Sequence, residues 1–367
     1  MLTTLDRYIF KQLSLTVLFG VVLFSIIWLS PVTMFDLIQA VVNKKISLWN
    51  AFVMYLCHIP QVLGQTIPIA ALIGSIFVFQ RLSRQFELVS IFASGISATR
   101  VMRAALVVGV LFGSVHFVAQ EVINPVIAPK LDAYYNEYDL KDFKDRNFVF
   151  LEKNRDEKLE KFFLIGQIQE NPLSDFVVLY YQHHDATSVA ISRILRAKTG
   201  FWNSKTDQWV LKDGIEYVLN KEGVYLETRH FETQQVRTHQ YAARLLEYTK
   251  QNPLALNFIK LHSYIRLLAE GGQFQDVPFF EVRFYQKFLA PISAMVFMVL
   301  GALLGMERVR STRSYGLVLG ALVVFTYSIL VPLSTNLGSM GLLTPFLMAC
   351  LPLAAAVGIT TTIVKLR

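Results

Sequence analysis

Long stretches without Asp, Glu, Lys or Arg, separated by short charged clusters, set the pattern of this chain. Uncharged apolar runs of about 17 residues or more are long enough to cross a bilayer core as helices. The first such run, Leu13 to Phe35, is about 23 residues long, enough to span and be retained rather than cleaved. Ile46 to Gln80 continues for about 35 residues, too long for one straight span. It predicts an interfacial lead-in and then a helix kinked near Pro60 or Pro68. Ala104 to Gln120 predicts a third span, stopped by Glu121 and by the breaker from Asn124-Pro125 to Pro129. Phe288 to Met306 predicts a fourth. Ser314 to Val364, roughly 51 uncharged residues, predicts two more, with Asn336-Leu337-Gly338-Ser339 as the turn between them.

Between the third and fourth spans the period changes. Short β-rich segments follow one another: Phe148 to Leu151, Phe162 to Ile165, Phe176 to Tyr181, Gln208 to Leu211, Ile215 to Val218 and Val224 to Glu227. Asn171-Pro172, Asp213-Gly214 and Glu222-Gly223 punctuate them as turns. Regular short strands of this kind predict a β-sandwich or jelly roll, with Phe162, Val177, Leu179, Tyr181 and Trp209 lining an apolar groove between its sheets. Leu131 to Lys141 reads as a helix leading out of the third span. Leu261 to Glu270, closed by Gly271-Gly272, reads as a helix leading back. The predicted organisation is residues 1–129 with spans one to three, residues 130–280 as the β domain with flanking helices, and residues 281–367 with spans four to six.

Composition agrees with a membrane protein: 53% of residues are hydrophobic and only 17% charged. The net charge of +8 does not point to nucleic acid, because Lys and Arg fall between apolar runs instead of gathering in one stripe. They orient the chain instead. With six spans and both ends on one side, Arg7, Lys11, Arg81, Arg84, Arg100, Arg103, Arg308, Arg310, Arg313, Lys365 and Arg367 share that side, against Lys44 and Lys45 in the short loops opposite. The basic side is the cytoplasmic one, which places the long insert outside. Arg283 and Lys287 then stand at the depth of outer-leaflet phosphates, four residues apart on one helix face, as candidate head-group contacts.

Residues 81–95 form the most informative cytoplasmic segment. Leu82, Phe86, Val89 and Ala93 recur at helical spacing, Arg81, Arg84 and Glu87 lie off that stripe, and Gly95 supplies a stop. One reading is a helix lying at the interface with its arginines toward phosphates. The other is a docking helix in which Glu87 is a fixed anionic contact in a basic strip.

Three motifs in this order carry a resemblance: Thr66-Ile67-Pro68-Ile69-Ala70-Ala71-Leu72-Ile73-Gly74, then Leu82-Ser83-Arg84-Gln85-Phe86-Glu87-Leu88, then Ala93-Ser94-Gly95-Ile96-Ser97. With Leu5-Asp6-Arg7-Tyr8-Ile9 and Gln286-Lys287-Phe288-Leu289-Ala290-Pro291 running into Gly301-Ala302-Leu303-Leu304-Gly305, the chain resembles the LptF/LptG (YjgP/YjgQ) permease family of lipopolysaccharide export over essentially its whole length. The resemblance implies an α-helical membrane protein of the bacterial inner membrane, with six transmembrane helices, both termini cytoplasmic and a periplasmic β-jelly-roll domain. It implies pairing with a second permease subunit of the family, identical or not, and docking of a cytosolic, LptB-like ABC ATPase. Periplasmic jelly-roll bridge proteins and lipopolysaccharide are the further partners, and no cofactor is implied. Glu87, with Arg84 and Phe86 beside it, falls at the family's ATPase-coupling helix. The first and fifth helices of the family line the lipid cavity, which makes Phe24, Trp28, Phe35 and Phe325 candidates for its wall. Family members often carry Lys at the outer end of the first helix for lipid phosphates; here Pro31-Val32-Thr33 stand there and Lys44-Lys45 come later.

Catalytic patterns are poor. Gly200 to Thr206 superficially matches a phosphate loop, but Ser204 replaces the second glycine. His183-His184 lacks a Cys or carboxylate cluster at ligand spacing, and reads as a strand end. Cys57 and Cys350 lie inside apolar runs as small core residues. Asp36 reads as interfacial. The leading function is therefore a non-catalytic permease for an anionic lipid. The alternative is a membrane assembly or sensor protein whose β domain binds a partner. A membrane-embedded enzyme comes third, because the spans hold no acid, base or nucleophile constellation.

Overall fold

A computed structural model describes residues 4–29, 33–138, 148–153, 158–167, 173–183, 189–203, 206, 208–220, 223–238, 245, 248, 253–271, 274, 276–306 and 315–366. The chain divides into two compact units, Met1–Tyr134 with Pro278–Arg367, and Tyr135–Val277. Six helices of the first unit are long and apolar enough to cross a membrane.

In the helical unit, α1 spans Thr4–Leu29 and α2 Thr33–Val42. The charge-free run to Phe35 therefore holds more than one element: α1 starts nine residues before Leu13 (13 minus 4) and ends at Leu29, and Phe35 belongs to α2. The lead-in is α3, Leu48–Cys57, capped by the Ser47 hydroxyl, which accepts from the Asn50 N–H at 3.2 Å. Next comes α4, Ile59–Arg84, with Pro60 in its first turn, where the missing N–H costs nothing, and Pro68 inside it. A separate short helix, α5, covers Glu87–Ala93. The single helix predicted over 81–95 is thus two elements, with Leu82 buried in α4 and Phe86 between them at φ +61°.

The third span does not stop at the proline breaker. Helix α6, Ala98–Val118, passes through a π-turn at Ala119–Ile123 into α7, Asn124–Glu137, which carries Pro125 in its first turn and Pro129 inside it. Leu131 is therefore inside this continuous helix and does not begin a new one. After the insert, α9 covers Val277–Gly305, starting eleven residues before the predicted Phe288 (288 minus 277), so Arg283 and Lys287 lie on the helix itself. Helices α10, Tyr315–Ser339, and α11, Pro345–Leu366, complete the unit. The turn between them follows Ser339, with Gly341 at φ +71°, because Asn336 to Ser339 remain helical.

Helix α4 is the hub. Within its span window 72% of residues are buried, against 22% for α1 and 17% for α10. Small residues let its neighbours close in. A Cβ on Gly301 or Gly305 of α9 meets the Leu72 and Ile76 carbonyls of α4, and one on Gly74 meets Val17 of α1. Ser75 Oγ donates to the Met298 carbonyl at 2.7 Å, fastening α4 to α9.

The second unit carries six antiparallel strands: β1 Phe148–Lys153, β2 Leu159–Gln167, β3 Leu173–His183, β4 Val189–Asn203, β5 Gln208–Leu219 and β6 Tyr225–Arg237. They form one sheet in sequence order, where a sandwich of two sheets was the expectation. Strand β4 covers a stretch the sequence pattern did not mark, and Gly200 to Asn203 end that strand; Ser204 and Lys205 lie outside the described residues. Two predicted strands merge in β5 through Asp213-Gly214. The buried face carries Phe150, Phe163, Ile165, Phe176, Val178, Leu195 and Trp209, while Phe162, Val177 and Leu179, one residue out of phase, are only half-buried on the other face. Helix α8, Phe258–Glu270, ends at Gly271 in this unit.

A crease crosses the sheet. In β3, β4 and β5 the buried positions step by three instead of two, from Leu173 to Phe176, Ala197 to Gly200 and Leu211 to Gly214. The paired neighbours place Asp175, Lys198, Asp213 and Glu232 opposite one another across four strands, all exposed. Asp175 and Asp213 adopt φ +55° and +52°, so each strand absorbs the extra residue at the same row. That row is why Asp213-Gly214 is no hairpin turn.

Candidate functional site

Helix α5 is held from below by Leu88, 3% exposed and packed into the main helical core, with Ile91 and Ile96 partly buried beside it. Its other side is open: Phe86 is 57% exposed, and Val89 and Phe92 are exposed too. Phe86 adopts the left-handed conformation that bulky residues avoid, and this reverses the chain between α4 and α5. The reversal puts Glu87 in the first turn of α5, where the Tyr8 hydroxyl of α1 donates to its carboxylate oxygens at 3.0 and 3.3 Å. A carboxylate offers about four acceptor positions, so Glu87 keeps capacity for a second, cationic partner. Arg84 is exposed one turn before it, and Arg81 Nε donates to Gln85 Oε1 at 3.2 Å. Sequence reading found Glu87, Arg84 and Phe86 and held Tyr8 within the Leu5 to Ile9 motif, but missed its partnership with Glu87, 79 positions away.

A second polar site lies at the far end of α4. There Gln120 Nε2 donates to the Pro60 carbonyl at 2.6 Å, and the next residue, Glu121, pairs with Lys287 of α9 at 2.7 Å. Both are deep: the Lys287 side chain is 16% exposed and that of Glu121 4%. The π-turn carries Glu121, and such turns shift side chains off the regular helical face. Lys287 is thus joined to a carboxylate within the bundle. Arg283, one turn earlier, stacks its guanidinium over the Phe279 ring at 5.7 Å, and its buried Nε has no hydrogen-bond partner among the described residues. Glu121 stood in the sequence as the end of an apolar run, and its role as Lys287's counter-charge had no spacing to announce it.

The remaining predicted residues are dispersed. Lys44 and Lys45 are exposed on the turn after α2, with Lys44 at φ +56°. Phe24 of α1 packs against the helical core, whereas Trp28, Phe35 and Phe325 are exposed on α1, α2 and α10. Gln286 of α9 donates to Ser334 and Thr335 of α10 at 3.2 and 3.0 Å, a tie the sequence did not suggest. In the β unit, burial pushes the Tyr180 phenol up to about 12, against the opposing pull of the Arg193 guanidinium over its ring. His184 and the His183 side chain lie outside the described residues, and among those described no group of three or more His, Cys, Asp or Glu is arranged to hold a metal.

Six membrane-length helices, of which α4 is the most buried, an exposed carboxylate-bearing helix and a separate antiparallel sheet define a multi-pass membrane protein with a β-structured insert. The chain belongs to the LptF/LptG family of lipopolysaccharide export system permeases, whose pattern matches residues 7–365. It is similar to the lipopolysaccharide export system permease protein LptG of Haemophilus influenzae, 23% identical over 308 residues that cover 82% of this chain and 80% of that protein. Several of the residues that carry the family motif now have physical roles: Gly74, Gly301 and Gly305 are packing contacts of the hub helix, and Glu87 is the carboxylate fixed by Tyr8.

Proposed function

We propose that this chain is the membrane-spanning subunit of an ABC exporter that takes lipopolysaccharide, or a related anionic lipid, from the outer leaflet of the inner membrane. The family match over nearly the whole chain is the observation that carries this reading. Helix α5 is the docking element for a separate cytosolic ATPase: its open apolar side seats in the partner, and Glu87 meets a cation there. The little-buried faces of α1 and α10 support a second permease subunit and a lipid cavity between the two, with Trp28, Phe35 and Phe325 toward acyl chains and Phe24 behind them. Arg283, Lys44 and Lys45 serve the head group, and Lys287 serves it only when parted from Glu121. The β unit, periplasmic in this reading, receives the lipid on the apolar face of its sheet and hands it to bridge proteins. In orientation, both termini and α5 are cytoplasmic, as the distribution of Arg and Lys supports.

The test is reconstitution. The complex co-purified with its ATPase from native membranes, placed in proteoliposomes containing lipopolysaccharide, is expected to release lipid on adding ATP and not on adding a non-hydrolysable analogue. Equal release with either nucleotide, or none, rejects the exporter reading in favour of an assembly or sensor role.

A further inference from the structure

Helix α1 packs on α4 and α6 and also reaches α5. Along its length it packs on α4, with Val17 against Gly74 and Gly20 against Ala70, and it leaves Leu15, Leu18, Phe19, Val22 and Ile26 exposed on its free side. In its second turn it reaches α5 through the Tyr8 side chain. Ile9 and Leu13 anchor that turn, at 1% and 0% exposure, so the Tyr8 ring is carried by a fixed stretch of backbone.

We infer that Tyr8 is a positioning residue that sets the direction of the Glu87 carboxylate and makes it responsive to the position of α1. The inference rests on the proposed docking role of α5 and adds to it a link between the exposed face of α1 and the contact made by α5. Hydrogen bonds fade within a few tenths of an ångström of their usual length. At 3.0 Å the Tyr8–Glu87 bond is intact, and a displacement of α1 by about 1 Å breaks it. Leu88 seats the body of α5 in the helical core, so what the Tyr8 bond sets is the direction of the Glu87 side chain and not the place of the helix. Whatever occupies the free side of α1 therefore changes how the carboxylate is presented.

Tyr8→Phe removes one oxygen and keeps the ring. In proteoliposomes containing lipopolysaccharide, with the full complex, this variant is expected to release about fivefold less lipid per ATP hydrolysed, the scale of one ordinary hydrogen bond lost. Its detergent melting temperature is measured in parallel. In a Glu87→Gln background the same change is expected to have no further effect on the lipid-to-ATP ratio. Wild-type coupling in Tyr8→Phe, or effects that multiply in the double variant, overturns the inference. So does a loss that follows a lowered melting temperature in both backgrounds. Glu87→Arg separates the two levels. If it uncouples transport while Tyr8→Phe does not, only the Tyr8 link is lost. If it leaves coupling intact, the docking role of α5 falls, and the link with it.

Discussion

Two carboxylates lie near the two ends of α4 in opposite circumstances. Helix α4 has 26 residues, a length of about 39 Å. Near its start Glu121 is buried and ion-paired to Lys287; past its end Glu87 is accessible, with a neutral hydroxyl as its bonded neighbour. A charge removed from water is tolerated only when another charge compensates it, so Glu121 has no freedom left to meet a visitor. Glu87 remains hydrated and oriented, which is what a contact for another protein requires. The same residue type therefore secures the bundle at one end and offers itself at the other.

The sharpest break in this comparison comes from the buried pair. Lys287→Met leaves Glu121 buried without its cation and is expected to destabilise the bundle by about 3–5 kcal/mol, whereas Glu121→Leu with Lys287→Met restores most of that loss. Thermal unfolding in detergent measures both, and a single variant as stable as the double contradicts the buried-pair account. At the other end, Glu87→Arg is expected to leave stability within about 0.5 kcal/mol of wild type, as a surface change does, while the ATPase no longer co-purifies or no longer drives lipid release. A melting temperature that falls as far as in Lys287→Met erases the distinction between the ends. The smallest effect belongs to Phe86→Gly. Relief of the left-handed conformation is worth about 1 kcal/mol or less, so stability stays level or rises slightly, while recovery of the ATPase drops because an exposed aromatic is gone. Unchanged recovery shows that Phe86 shapes the chain reversal and does not touch the partner.

Much of the helical unit was legible because span length and charge exclusion are coarse properties of a run. Where a run held more than one element, composition had nothing to separate them: Phe35 joined α1 in the pattern although α2 is its own helix. The proline breaker misled for a physical reason, since Pro125 sits in a first turn and the π-turn before it has already loosened the backbone pairing. Alternation could not choose the buried face of the sheet because Phe162 to Ile165 and Phe176 to Tyr181 are apolar or aromatic in both phases. Phe162 and Leu179 fit the apolar pattern, yet the buried ones are Phe163 and Val178. At the candidate site, Glu87 was readable from its motif, but both side-chain partnerships, Tyr8 with Glu87 and Glu121 with Lys287, join residues far apart in sequence, and single-sequence periodicity carries no record of such pairs.

The crease also governs which changes of length the β unit can accept. Deleting Asp213 alone restores strict alternation within β5, and every side chain on one flank of the deletion, Trp209 and Leu211 or Ile215 and Tyr217, then turns over against unchanged neighbours. The row from Asp175 to Glu232 behaves like teeth on meshed gears: one cannot be removed unless its counterparts in adjoining strands go too. Among relatives of this chain, insertions and deletions at that row are expected to come in matched sets across strands, while hairpin ends vary freely in length. A lone deletion at Asp213 that preserves a folded sheet would show that the gears do not mesh.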